Sequence, residues 1–162
     1  MDWALLRDDG AWTRFPATLR RGLVRLHDRW EALLDLMERL PRALCHLDVW
    51  EGNLIRRPDG EVVLLDWSFA GDGAVGEDVG NLILNVAGDD LDGRLTDAYL
   101  AGLRDAGWTG DERAVRLGIC ASAVRYDWLT PYCLEHADAD YLAALELCAR
   151  WAEEAERLAR AI

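Results

Sequence analysis

Lysine is absent: all 18 basic residues of this 162-residue chain are arginine. No lysine side chain can therefore grip a phosphate anywhere on this polypeptide. Basic residues are also outnumbered by 30 acids, for a net charge of −12 at pH 7. That balance disfavours nucleic acid and anionic membranes as partners, since both attract a cationic surface. No apolar run is long enough to span a bilayer, and no N-terminal segment has a secretion-signal pattern. Cysteine is scarce, and Cys45, Cys120, Cys133 and Cys148 lack the paired spacing of a metal site. They are expected to be reduced, buried thiols of a cytoplasmic protein. Internal repeats, long linkers and low-complexity segments are missing too.

What is present points to a packed core. Half the residues are apolar (51%), and eight are tryptophan, which argues against disorder. The length suits a single domain over residues 1–162, with a motif-bearing core at 44–84 and a helical region at 90–161. Leu23, Leu26, Trp30, Leu33, Leu34, Met37 and Leu40 recur at helical spacing, which predicts one amphipathic helix from Leu19 to Leu40, ended by Pro41. A short strand over Ala43–Cys45 should follow. Further helices are expected from Glu77-Asp78 to about Val86 and from Asp90 to Ala106, the latter with Gly107 as its C-terminal cap. A third runs from Asp111 to about Cys133, interrupted or ended near Pro131, and a fourth opens at Asp138 or Asp140 and runs to Leu158. The fold class is thus α+β and predominantly helical, with a small β-hairpin in its midst.

That hairpin carries the chemistry. Leu54-Ile55-Arg56-Arg57 and Glu61-Val62-Val63-Leu64-Leu65 flank Pro58-Asp59-Gly60, a turn signal in which Pro presets φ and Gly supplies a left-handed residue. A tight turn at Asp59-Gly60 pairs residues whose numbers sum to 119, setting Asn53 opposite Asp66; a Gly bulge shifts the register by one. In both registers the two side chains lie on neighbouring strands, roughly 5–8 Å apart. An amide and a carboxylate oxygen converging there suit Mg²⁺, which takes hard oxygen ligands together with substrate phosphates. Upstream, His46, Asp48 and Asn53 stand at the offsets of a phosphoryl-transfer catalytic loop, H-x-D-x-x-x-x-N.

The run from Cys45 to Ile55, the strand Val62–Leu65 with Asp66-Trp67, and the segment Gly76–Ile83 together resemble the C-terminal lobe of the aminoglycoside phosphotransferase and choline kinase group of small-molecule kinases. The likeness covers about residues 20–160, but residues 44–84 carry its specific motifs. It implies that Asp48 is the catalytic base or hydroxyl-orienting group, and that Asn53 and Asp66 hold Mg²⁺ on the phosphates of ATP. His46 would brace the loop. Asp78 would tie its helix to the catalytic-loop backbone; read from its position alone it is equally a plain N-cap. Leu47 stands where protein kinases carry Arg, which fits a small-molecule acceptor. The family's β-rich N-terminal lobe and its phosphate-gripping lysine have no counterpart in the pattern before His46.

Two features of the sequence also admit plainer readings. Gly71-Asp72-Gly73-Ala74-Val75-Gly76 fits the dinucleotide pattern G-x-G-x-x-G, but it does not directly follow a strand inside a βαβ unit, so it reads as a flexible turn. The run Arg125–Tyr132 and the acids after it mix ring faces with carboxylates. Asp127, Trp128, Tyr132 and Glu135, with Trp50 beside the motif, are therefore candidate contacts for a cationic acceptor such as an amino sugar or a choline-like amine. Helix packing explains the same aromatics as readily.

Two functions follow as expectations. One is an ATP- and Mg²⁺-dependent phosphotransferase acting on the hydroxyl of a small metabolite or antibiotic, incomplete in this chain. The other is a kinase-like binding module or pseudoenzyme without catalysis. For either, an apolar face is expected where the N-terminal lobe would dock, taken up by a separate N-lobe polypeptide or by self-association.

Overall fold

The computed structural model describes residues 7–13, 15–86, 91–136 and 139–160. Helix α1 (Ala17–Asp28) begins after Pro16, and α2 (Trp30–Arg39) ends at Leu40, whose extended backbone is what Pro41 imposes on the residue before it. The single helix expected over Leu19–Leu40 is thus two. Arg29 leaves the helical region between them (φ −107°, ψ 2°). The break has a packing cause: α1 buries Leu19, Leu23 and Leu26 along the C-terminal helix, whereas α2 turns Leu33 and Met37 toward the central helix.

Strand β1 (Arg42–Cys45) pairs antiparallel with β4 (Gly71–Ala74), Arg42 opposite Ala74 and Cys45 opposite Gly71. The glycine-rich segment read as a flexible turn is therefore a strand. Its composition has little β propensity; pairing with β1 and the bond from Arg42 Nε to Asp72 Oδ2 (3.0 Å) hold it there. Strands β2 (Leu54–Arg56) and β3 (Val62–Leu64) form a separate two-stranded ribbon.

Five α-helices follow among the described residues: α3 (Glu77–Asn85), α4 (Leu91–Asp105), α5 (Glu112–Ala121), α6 (Leu129–His136) and α7 (Ala139–Ala159). The fold is α+β and predominantly helical. Gly107 closes α4 with positive φ, its N–H donating to Arg104 O while Trp108 N–H reaches Leu103 O. The third expected helix is divided: α5 gives way to a 3₁₀ turn over Ser122–Tyr126, and Pro131 sits in the first turn of α6, where its missing N–H costs no helical bond. Asp90 and Asp138, expected to open helices, lie outside the described residues, as does the side chain of Asp140.

The core centres on α5, buried on nearly every side through Val115, Leu117, Ile119 and Cys120, and packed against α2, α3 and α7. Cys45, Cys120, Cys133 and Cys148 are all buried. Burial pushes the Cys45 and Cys148 thiols up to about 12, so neither offers a thiolate near neutral pH. Among the described residues no helix is long and apolar enough to cross a membrane.

One ion-pair network ties three helices together. Arg116 of α5 forks onto Asp92 of α4 (Nη1–Oδ1 2.5 Å, Nη2–Oδ2 3.1 Å) and onto Glu154 of α7 (Nε–Oε1 and Nη2–Oε2, both 2.8 Å). Trp151 Nε1 also donates to Asp92. Burial pushes the Asp92 carboxyl up, but the bonds from Arg116 and Trp151 outweigh it and the net shift is downward. Glu154 is lowered chiefly by Arg116. A carboxylate lowered on folding stabilises the fold above its unfolded pKa, and that stabilisation is lost as pH falls through the folded value. Urea midpoints should therefore drop from about pH 5 downward. The drop should be visibly shallower in Arg116→Met; equal slopes in both proteins would remove the network from the account.

Candidate active site

The site is assembled from the loop between β1 and β2, the end of β3 and the start of α3. Two non-glycine residues in the described chain have positive φ, and both lie here: Leu47 (φ 63°) and Asp66 (φ 55°). Left-handed backbone costs a branched or bulky residue about 1–3 kcal/mol, so something must hold each in place. For Leu47 the restraint is Asp78. Its Oδ2 accepts from His46 N–H at 2.7 Å and its Oδ1 from Leu47 N–H at 2.8 Å. Both carboxylate oxygens of Asp78 thus engage the loop across the molecule, rather than the first-turn amides of α3 in an N-cap.

His46 makes the second tie. It is buried, and its Nε2 lies 2.7 Å from Leu65 O. A carbonyl only accepts, so Nε2 carries the proton. Nδ1 has no described partner. The imidazole also meets Trp67 edge to face, centroids 4.9 Å apart. The loop is thereby fastened to the residue immediately before Asp66.

Asn53, itself buried, makes the third tie. Its Nδ2 donates to Asp48 O at 2.9 Å and to Asp48 Oδ2 at 3.0 Å, which leaves its carbonyl oxygen for another partner. Across the ribbon, Leu65 N–H donates to Asn53 O at 2.8 Å. The pairing sums to 118, with Leu54 opposite Leu64, so Asn53 faces Leu65 and not Asp66. The bulged register is the one adopted. Gly60 N–H closes a turn on Arg57 O, Arg57 N–H reaches Glu61 O, and Gly60 takes φ 91° as the left-handed bulge residue. Asp66 is one residue past the pair, exposed, with Oδ1 accepting from the Ser68 hydroxyl at 2.7 Å. Its Oδ2 has no described hydrogen bond.

Do these residues suit a magnesium ion? Among the described residues no group of three or more His, Cys, Asp or Glu side chains is placed to hold a metal. The donor set is instead one amide oxygen and one carboxylate on adjoining segments. Mg²⁺ keeps several waters and takes one or two protein oxygens plus substrate phosphates in such sites, so the set fits that ion and not an all-protein cage.

Beside Asp48 lie two adjoining cavities. One, of about 320 Å³, is walled by Leu47, Asp48, Phe69, Asn81 and Arg125 among others. The other, of about 570 Å³, includes Trp50, Glu51, Leu129 and Tyr141. Asn85, Tyr126 and Trp128 border both. Of the expected acceptor contacts, Trp50 and Trp128 therefore line the cleft. Tyr132 does not; it stacks edge-on behind Trp128 and Tyr141. Asp127 and Glu135 form no part of the walls either.

Sequence reasoning missed Asn81, Arg125, Tyr126 and Tyr141, and also Glu77. Glu77 is 1% exposed; its Oε1 receives Arg125 Nε at 2.8 Å and Nη2 at 2.7 Å, and its Oε2 receives Ala74 N–H. A signal existed, in that a Glu opening an otherwise apolar helix face needs a buried partner. Tyr126 donates to Asn81 O and accepts from Asn85 Nδ2 at 2.7 Å. Burial above all, with the Asp48 charge among lesser causes, pushes its hydroxyl up and keeps it neutral.

No curated protein and no solved structure matches this chain. A family model does, over residues 2–117, a span that takes in His46, Asp48, Asn53, Asp66 and Asp78 and stops before Arg125 and the aromatic wall. That family is the Phosphotransferase enzyme family, APH, and this chain belongs to it.

Proposed function

We propose that the chain is the C-terminal-lobe part of an ATP-dependent small-molecule kinase, in which Asp48 receives the acceptor hydroxyl at the mouth of the aromatic cleft. The observation that carries this reading is the Asn53 amide, which grips both the backbone and the carboxylate of Asp48 while its own backbone is paired to the residue before Asp66. With Oδ2 of Asp48 so engaged, Oδ1 is left to accept the proton of an alcohol. As the alcohol oxygen bonds to the γ-phosphorus, the bond to the β-phosphate oxygen breaks, ADP leaves, and the hydroxyl proton passes to Asp48. Asn53 and Asp66 would hold Mg²⁺, which supplies charge neutralisation on the phosphates. The chain's own contribution is placement: His46 and Asp78 fix the loop, and a fixed geometry spares the reaction its orientational entropy.

Thermal-shift titration with Mg-ATP tests the metal and nucleotide assignment. The midpoint should rise as ATP passes its dissociation constant, since a ligand selective for the folded form stabilises it. The rise should vanish in Asp66→Ala. Stabilisation that persists undiminished in that variant would move the nucleotide elsewhere.

A second reading, a kinase-like module that binds without catalysis, shares with the first the expectation of an apolar docking face. Phe69, Ile55, Val62 and Trp67 are each at least half exposed, and Leu44 is 77% exposed. Apolar side chains bared on both faces of the β2–β3 ribbon, on the turn after it and on β1 call for cover, from a separate N-lobe polypeptide or a second copy. Light scattering should show concentration-dependent association that Phe69→Asp with Val62→Lys abolishes. A monodisperse monomer at high micromolar concentration would rule out self-association.

A further inference from the structure

The cleft beside Asp48 is electrically lopsided in a way that the phosphotransfer reading does not use. At one end stand Glu51 and the rings of Trp50 and Tyr141, while Trp128 borders both cavities. At the other, Arg125 is the one cation among the described residues that line the two cavities. Its guanidinium is half exposed, yet it is held from behind by a fully buried carboxylate, through a hydrogen bond from Nε to Glu77 Oε1 and an ion-pair contact of Nη2 with the same oxygen. A long arginine side chain gives up rotamer freedom to stand still, so an arginine anchored this way is pre-organised for a planar anion. Nη1 remains to donate. On the same wall Asn81, 6% exposed, leaves its Oδ1 without a described partner, an acceptor waiting for an N–H or O–H donor.

Resting on the acceptor role given to this cleft above, we propose that the acceptor is a zwitterionic alcohol. Its carboxylate is taken by Arg125, and its ammonium group lies against the rings near Glu51. Arg125 is then the residue that determines specificity, and Glu77 positions it. The two requirements come from different physics. An ammonium gains from ring faces and a neighbouring carboxylate, and a planar carboxylate gains charge-assisted bonds from a fixed guanidinium. A cation lacking the acid would leave Arg125 unused. An acid lacking the cation would meet Asp48 and Glu51 with nothing to offset them.

A matched set of probes separates the charges. Carnitine carries a hydroxyl, a quaternary ammonium and a carboxylate; β-methylcholine is the same skeleton without the carboxylate, and 3-hydroxybutyrate lacks the ammonium. Calorimetric titration of the full chain should give carnitine at least about tenfold tighter binding than either half-molecule, the scale of one charge-assisted contact. Arg125→Gln should shrink the preference for carnitine over β-methylcholine to about twofold or less, while β-methylcholine binds as before. Because Arg125→Gln strands Glu77, the double variant Glu77→Gln with Arg125→Gln, a neutral amide pair, should fold by circular dichroism and show the same loss. Arg125→Lys should recover part of it. Equal binding of carnitine and β-methylcholine by the unaltered chain overturns the proposal, as does uniform weakening of both by Arg125→Gln, or no carnitine binding at millimolar concentration. Asp66-dependent stabilisation by Mg-ATP is measured separately. If it survives while the carnitine preference fails, only the acceptor assignment falls; if it fails while the preference survives, the chain is a binding module with this specificity.

Discussion

Asp48→Asn should lower acceptor-dependent ADP formation by about 10²–10⁴-fold, the range for loss of a positioned general base. The variant retains a side-chain oxygen for the Asn53 amide that now grips Asp48 Oδ2. Loop geometry should therefore persist, and the thermal midpoint should move by less than roughly 2 °C, as expected of an isosteric change that leaves the core alone. The contrast between a large rate effect and a small stability effect is what distinguishes chemistry from structure here. A loss under tenfold would mean that Asp48 only orients the alcohol. No acceptor-dependent ADP formation by either protein, with nucleotide still bound, would favour the non-catalytic module.

Gly76→Ala has the largest expected effect on stability, about 3–5 kcal/mol, from two independent sources. Gly76 sits at φ 93°, a region that side-chain-bearing residues rarely enter, and a Cβ there would lie 2.4 Å from Val115 O on the central helix. Neither obstacle is a flexible side-chain end. For a chain of this length such a loss lowers the melting temperature by roughly 10 °C. The consequence reaches the site, because Gly76 is the N-cap of α3, and Glu77 and Asp78 follow it directly. The two bonds from Asp78 that hold His46 and left-handed Leu47 depend on that placement. Scanning calorimetry on the variant checks the figure; a shift under about 3 °C would mean the α5 backbone yields easily at this crossing.

How much of this could be seen beforehand differs residue by residue. The offsets of His46, Asp48, Asn53 and Asp66 were legible because a loop and a hairpin are local, and spacing along the chain nearly fixes spacing in space. The hairpin register depended on whether Gly60 adopts the left-handed bulge, a choice of one residue that moves Asn53 from Asp66 to Leu65. Glu77 and Arg125 lie 48 positions apart, and their pairing is decided by how α3 packs against the 3₁₀ turn after α5. No periodicity reports that. Trp128 and Tyr132 look alike in sequence, yet one walls the cleft and the other props it from behind.

The sequence by itself determined the helical, α+β character and the spacing of the polar residues on the loop after β1 and on the hairpin, because hydrophobic period and turn chemistry act over a few residues. Tertiary structure alone decided the break at Arg29, the strand made from Gly71–Ala74 and the company kept by Asp48 in its cleft. Those outcomes turn on which surfaces can be buried together, and burial is settled between segments distant in the chain, where local preference is worth less than the packing it must yield to.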